Sequence, residues 1–288
     1  MKRLLFFLLL GLSATLPLTG QNRPDALRHE VTFLCDSLHA GRGFGAAGDQ
    51  GAAFYLLRRL RDEGLRTTVQ TFSEGGRYGH NVVAVTPGWY RRYIVVGAYF
   101  DGLGVLEEHI YPGADANASG VAALLALAHE LPAACKGDTG IVFVAFDGHN
   151  ANLSGARAFL ERYRREFPVT LMVNLDLLGS SLAPVSKDRP DYLIALGGTR
   201  FMFSLESANR GPALDLSYDY YGSPSFTDIF YEKISDQRWF LEAGIPSVMF
   251  TSGITMHTNK LTDTPESLDY PLLSRRIDLI HLWLRSQL

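Results

Sequence analysis

Carboxylates, imidazoles and side-chain amides follow apolar runs along this chain. Such groups hold divalent metals or move protons. Asp101 lies in GAYFDGLG (97–104), Asp115 and Asn117 in GADANASG (113–120), and His149 and Asn150 in VFVAFDGHN (142–150). Asp176 lies in VNLDLLG (173–179) and His257 in GITMHTNKLTDTPESLD (253–269). On ligand type alone, Asp115, His149, Asp176 and His257 could form a single-metal site. A two-metal hydrolytic site asks for more. It needs a carboxylate bridging ions about 3.5–4 Å apart and a Glu that takes the proton from the attacking water. Asp101 and Asp176 also have an ordinary reading, as caps of turns or helices. Asp176 nevertheless stands among apolar neighbours, and a buried charge needs a partner, for which His149, His257 and Tyr99 are candidates.

The segments between these motifs alternate in pattern. Residues 25–38 have helical spacing of Leu27, Val31, Phe33, Leu34 and Leu38. Residues 50–63 are amphipathic, with Ala53, Leu56, Leu57 and Leu60 opposite Arg58, Arg59 and Arg61, and Gly64 closes them. Runs at 81–86 and 93–98 read as strands separated by a turn at Pro87–Gly88. A hydrophobic helix is expected at 120–131, and buried strands at 140–146 and 169–175 flank a helix at 153–166. Weaker signals follow: a strand at 192–196, a helix near Trp239, a strand at 247–250 and a C-terminal helix. This rhythm predicts βαβ crossovers in a three-layer α/β fold, with a mixed, centrally parallel sheet between helices. Ligands of such sheets sit beyond the carboxyl ends of the strands. Tyr99, His149 and Asp176 each follow an expected parallel strand, so periodicity alone puts them on one rim.

The order of motifs and elements resembles the di-zinc aminopeptidases, the family that also contains glutaminyl cyclases and the transferrin-receptor ectodomain. The resemblance runs from about Glu30 to the C-terminal helix and implies a zinc-exopeptidase-like phosphorylase/hydrolase architecture. Carried over residue by residue, it puts Tyr99 where the family has the His of a HxD motif, and Asp101 at its Asp. Ala116 falls at the bridging Asp, His149 at the general-base Glu, and Asn150 at the neighbouring ligand Glu. Asp176 and His257 match the family's residues, while Gln237, in Ser235-Asp236-Gln237, replaces a further His.

These replacements weigh against zinc. Ala116 has no donor atom to bridge two ions. Asp176 and His257 belong to different metals in the family pattern, which leaves each ion well short of three ligands. Tyr99 binds zinc only as a phenolate, with an ordinary pKa of about 10. Asn150 offers a neutral carbonyl better suited to harder cations. The resemblance therefore implies a member without two-zinc hydrolysis and with no metal cofactor, zinc being the ion if one binds. Tyr99, Asp101, Asp115, Ala116, Asn117, His149, Asn150, Asp176, Gln237 and His257 would line a remnant pocket for peptide termini or a small polar ligand. The alternatives are an active metal-dependent exopeptidase with a non-standard or single-metal site, and glutaminyl cyclisation, which meets the same missing ligands.

The chain opens MKRLLFFLLLGLSATLPLTG, with Lys2 and Arg3 ahead of a short apolar core. Residues 1–20 read as a signal peptide, leaving 21–288 as a single exported domain, periplasmic or secreted and free of the membrane. The net charge is −3, about −5 without Lys2 and Arg3, with no basic stripe for nucleic acid. In an oxidising compartment Cys35 and Cys135 are allowed to form a disulfide, while the ordinary reading is two separate packed thiols. Gly43 to Gly48 fits GxGxxG but lacks a preceding strand, so a dinucleotide role is not expected. The sequons at Asn117 and Asn152 fall within core motifs, and no GxSxG serine elbow occurs.

Overall fold

The computed structural model describes residues 23–288, so the expected signal peptide lies outside the described residues. Helices α1 (Arg23–Leu34) and α2 (Ala47–Asp62) precede strands β1 (Arg66–Glu74), β2 (Arg77–Val85) and β3 (Arg92–Tyr99). A small hairpin, β4 (Val105–Leu106) and β5 (His109–Ile110), leads to α3 (Gly120–Glu130), β6 (Thr139–Phe146), α4 (Ser154–Tyr163) and β7 (Val169–Leu175). Then come β8 (Tyr192–Leu196), α5 (Met202–Ala208), β9 (Asp215–Ser217), α6 (Pro224–Lys233), α7 (Gln237–Glu242), β10 (Ser247–Thr251) and α8 (Tyr270–Arg285).

One eight-stranded sheet runs β1-β2-β6-β3-β7-β10-β8-β9. Its centre, β6-β3-β7-β10, is parallel, while β1, β2 and β8 join antiparallel. This is the mixed, centrally parallel sheet that the alternating pattern predicts. β6 is buried along its whole length, as a strand covered on both faces must be, and its sequence TGIVFVAF is almost continuously apolar. The helix α3 is buried nearly all round, with Leu124 and Leu127 inaccessible. Burial of each such leucine stabilises the fold by about 2 kcal/mol. Among the described residues, no helix is long and apolar enough to cross a membrane.

Several boundaries differ from the sequence reading. α1 stops at Leu34 rather than Leu38, because Asp36 accepts the amide of Leu38 at 2.8 Å and starts a separate 3-10 turn. α2 begins at Ala47, a turn early, with the Asp49 carboxylate taking the Gly45 amide at 2.9 Å. The edge strand β1 and the helix α6 carry weak periodicity and escape sequence reading. The 81–86 and 93–98 runs are not sheet neighbours, since β6 lies between β2 and β3.

The glycine-rich segment is structural. Gly41 has φ +65°, and a Cβ there would sit 2.6 Å from the Gly104 carbonyl oxygen. The side chain of Arg42, wholly buried beside it, donates to the carbonyls of Phe100, Leu34, Pro112 and Gly113. Cys35 and Cys135 are both free and partly buried against the main core, which matches the reading of packed thiols.

Candidate functional site

Parallel pairing of β3 with β6 and β7 brings their carboxyl ends level: Tyr99 stands opposite Phe146, and Gly97 opposite Asn174. The residues just beyond these ends therefore converge. Tyr99, His149 and Asp176 meet there, on the rim where the strand pattern puts them, and Asp101 joins them.

His149 is the centre. Its ring stacks on that of Tyr99, with centroids 3.6 Å apart and planes inclined by 12°. Its Nδ1 donates to Asp236 Oδ2 at 3.0 Å. The side chain of Asp236 is fully buried and that of His149 is 15% exposed. Asp101 faces them from the end of β3, but its oxygens are committed: Oδ1 accepts the His149 amide at 2.8 Å and Oδ2 the Asn150 amide at 2.9 Å. The Asn150 side-chain amide adds a bond to Oδ2 at 3.2 Å. Asp176 Oδ2 accepts from Ser235 Oγ at 2.5 Å. Asn174 Nδ2 donates to both Ser235 Oγ and Gln237 Oε1, and Gln237 Nε2 donates to the Tyr231 carbonyl.

The neighbouring turn is held as tightly. Its Ala116–Asn117 peptide is cis. Asn117 is wholly buried; its Nδ2 donates to the carbonyls of Tyr99 and Leu175, and its Oδ1 accepts from Gly120 and Leu177 amides. Asp263 caps the turn by accepting the amides of Asp115 and Ala116. Asp115 points inward, its Oδ1 on the Gly179 amide at 2.7 Å and Ser119 Oγ at 3.1 Å. His257 is half-buried, and its Nδ1 lies 2.8 Å from Thr262 Oγ1.

Electrostatics follows from this crowding. Burial alone would lower the His149 pKa, but the charge and hydrogen bond of Asp236, with Asp176 and Asp101 nearby, raise it to about 9. Burial pushes Asp101 and Asp176 up, opposed in both cases by the His149 charge. Burial and the same carboxylates push the Tyr99 phenol well above its ordinary value, so it stays neutral. Beneath the rim, Asp147 accepts the amides of His80 and Gly148. Burial and the charges of Asp101 and Asp49 raise it to about 9, and burial raises Asp49 to about 7.

This donor set does not fit a zinc pair. Tyr99 is a neutral phenol under an imidazole, Asp101 is saturated by amides, Ala116 has no donor, and Gln237 is spent on Asn174 and Tyr231. His149, at the general-base position, is itself a cation. Among the described residues, no three His, Cys, Asp or Glu side chains converge in a way that would hold a metal ion. Asp115, whose carboxylate turns into the protein, does not join Asp176 and His257 in a single-metal set.

Asp236, Ser235, Asn174 and Asp263 carry much of the site without standing out in the sequence. Asp236 and Ser235 adjoin Gln237, which was the one available signal.

Several comparisons bear on ancestry. The YfbL protein of Escherichia coli strain K12 is 26% identical over 282 residues, covering 88% of this chain and 85% of its own. A probable zinc metalloprotease of Pyrenophora tritici-repentis is 30% identical over 184 residues, 55% of this chain and 42% of its own. The structure of BSAP, a zinc aminopeptidase from Bacillus subtilis, superposes with a TM-score of 0.75 at 14% identity, covering 92% of this chain and 95% of that one. Porphyromonas gingivalis glutaminyl cyclase gives 0.73 at 15%, covering 92% and 98%. At these identities the two structures establish likeness of fold. Residues 81–284, from β2 through all but the last residue of α8, match peptidase family M28, and the chain belongs to that family.

Proposed function

We propose that this protein is a member of the family that does not run two-zinc peptide hydrolysis and instead binds peptide termini or a small polar ligand at the rim of the former site. The observation that carries this reading is His149. An imidazolium stacked on Tyr99 and paired with Asp236 stands among the carboxylates that a divalent ion would need. Like charges a few ångströms apart in a poorly hydrated site repel strongly, so cation and ion compete for one place. Residues 1–20 are read as a signal peptide, which puts the mature chain in the periplasm or outside the cell.

The test uses aminoacyl-anilides and short peptides, with added zinc and with a chelator. The expected result is no turnover in either condition, with peptide binding that the chelator leaves unchanged. Hydrolysis that the chelator abolishes overturns the proposal in favour of a working metal-dependent exopeptidase. N-terminal sequencing of the exported protein tests the processing site.

A further inference from the structure

We propose that β1 pairs edge to edge with β1 of a second copy of this chain, antiparallel about a two-fold axis at Gln70, so that two eight-stranded sheets become one. β1 is the outermost strand, with β2 as its one strand neighbour among the described residues. It spans nine residues. An open edge of this length presents unpaired amides and carbonyls, and edges are ordinarily blunted by internal charges, proline or bulges. Residues 67–73, TTVQTFS, contain no charge and no proline, and the pairing with β2 is regular from Arg66 to Glu74.

The ends of the strand select a copy of itself as partner. In the two-fold register Arg66 faces Glu74 of the second copy at both ends, where Glu74 already holds Arg157 of its own chain at 2.6 Å, so each end sets a carboxylate between two cations. Between them Thr67 meets Ser73, Thr68 meets Phe72, Val69 meets Thr71, and Gln70 meets its equivalent. Paired positions are both odd or both even, so outward-facing backbone groups meet outward-facing ones. Cross-strand pairs of β-branched with aromatic residues and of opposite charge are the favourable kinds. Exposed apolar side chains lie on both elements: Val69 is 40% exposed, and Phe54, on the helix α2 that packs against β1, is 63% exposed.

Sedimentation velocity of the full chain over a wide concentration range tests the proposal. The expected species has twice the monomer mass. Val69→Lys sets like charges beside the axis and is expected to weaken association at least about tenfold. Arg66→Glu, at an exposed position, opposes Glu74 of the second copy and is expected to act in the same direction; it decides the matter if Val69→Lys does not melt cooperatively. Phe203→Ser, on the helix linking β8 to β9, should leave the dimer intact. A wild-type chain that stays monomeric, or a dimer indifferent to both charge changes, overturns the proposal.

Discussion

The imidazole of His149 lies on the phenol ring of Tyr99 with 3.6 Å between centroids, while its Nδ1 holds Asp236 at 3.0 Å. The pair turns a rim of carboxylates into a self-contained network: the cation is internal, its aromatic floor is neutral, and Asp101 holds the His149 backbone in place. A buried charge that keeps its partner is tolerated, whereas removing one partner leaves the other exposed to the full cost of burial.

That coupling can be read directly. Asp236→Asn removes the strongest influence raising the His149 pKa. The imidazole should then titrate clearly below about 9, because burial is opposed only by the weaker influence of Asp176 and Asp101. An NMR titration of the His149 ring protons measures this, and an unchanged midpoint contradicts the assignment of Asp236 as the partner.

Stability should fall as the solution becomes alkaline. The folded His149 pKa, about 9, lies above its unfolded value, so its stabilisation is complete below about pH 6.5 and lost as pH rises through about 9. Asp49 and Asp147 are also raised, to about 7 and about 9, mainly by burial. Their contribution is likewise intact below the unfolded carboxyl value and lost as pH climbs through those folded values. The slopes agree in sign, so the melting temperature should drop between about pH 5 and about pH 9. Asp49 Oδ1 is buried without a hydrogen-bond partner, and Asp49→Asn would supply an amide donor toward Asp147 whatever the pH. That variant should flatten the curve; a melting temperature that rises over the interval contradicts the sign.

Restoring donors should restore metal. Tyr99→His, Ala116→Asp, His149→Glu and Asn150→Glu together remove the internal cation and return bridging and terminal ligands. Elemental mass spectrometry after zinc loading and desalting should find well below one zinc per wild-type chain and about two per variant chain, the number that a bridged site holds. Metal-free variant protein would mean that Ser235, Asp236 and Gln237 have remodelled the cavity beyond the ligands themselves.

Asn117 is a structural pin. Asn117→Ala strands two carbonyls and two amides at the junction of β3, β7 and α3. The cost should be about 2–4 kcal/mol, read as a lower urea midpoint at constant slope. A shift under about 0.5 kcal/mol would mean that water replaces the amide.

The central architecture was legible because both of its signals are local. Fully buried parallel strands such as 140–146 are unbroken apolar runs, and the amphipathic face of α2 repeats at helical spacing. The same regularity put Tyr99, His149 and Asp176 on one rim, and the substitution at Ala116 needed no coordinates to be read. The strand β1 was less visible, since a half-exposed edge strand tolerates TTVQTFS without a strong alternation. Helix α6, with Phe230 alone fully covered, was faint for the same reason.

Only the tertiary structure decided what the surviving polar residues do. Asp115 and Asp176 are both carboxylates in the sequence, yet one turns inward to Gly179 and Ser119 while the other joins Ser235 at the rim. Asp236 is 87 residues from His149 along the chain and 3.0 Å away in space. Hydrogen-bond direction, burial and the charge of a neighbour depend on contacts between distant segments. Residue identity and spacing therefore determine which groups reach the site, and folding alone determines which of them remain free to act.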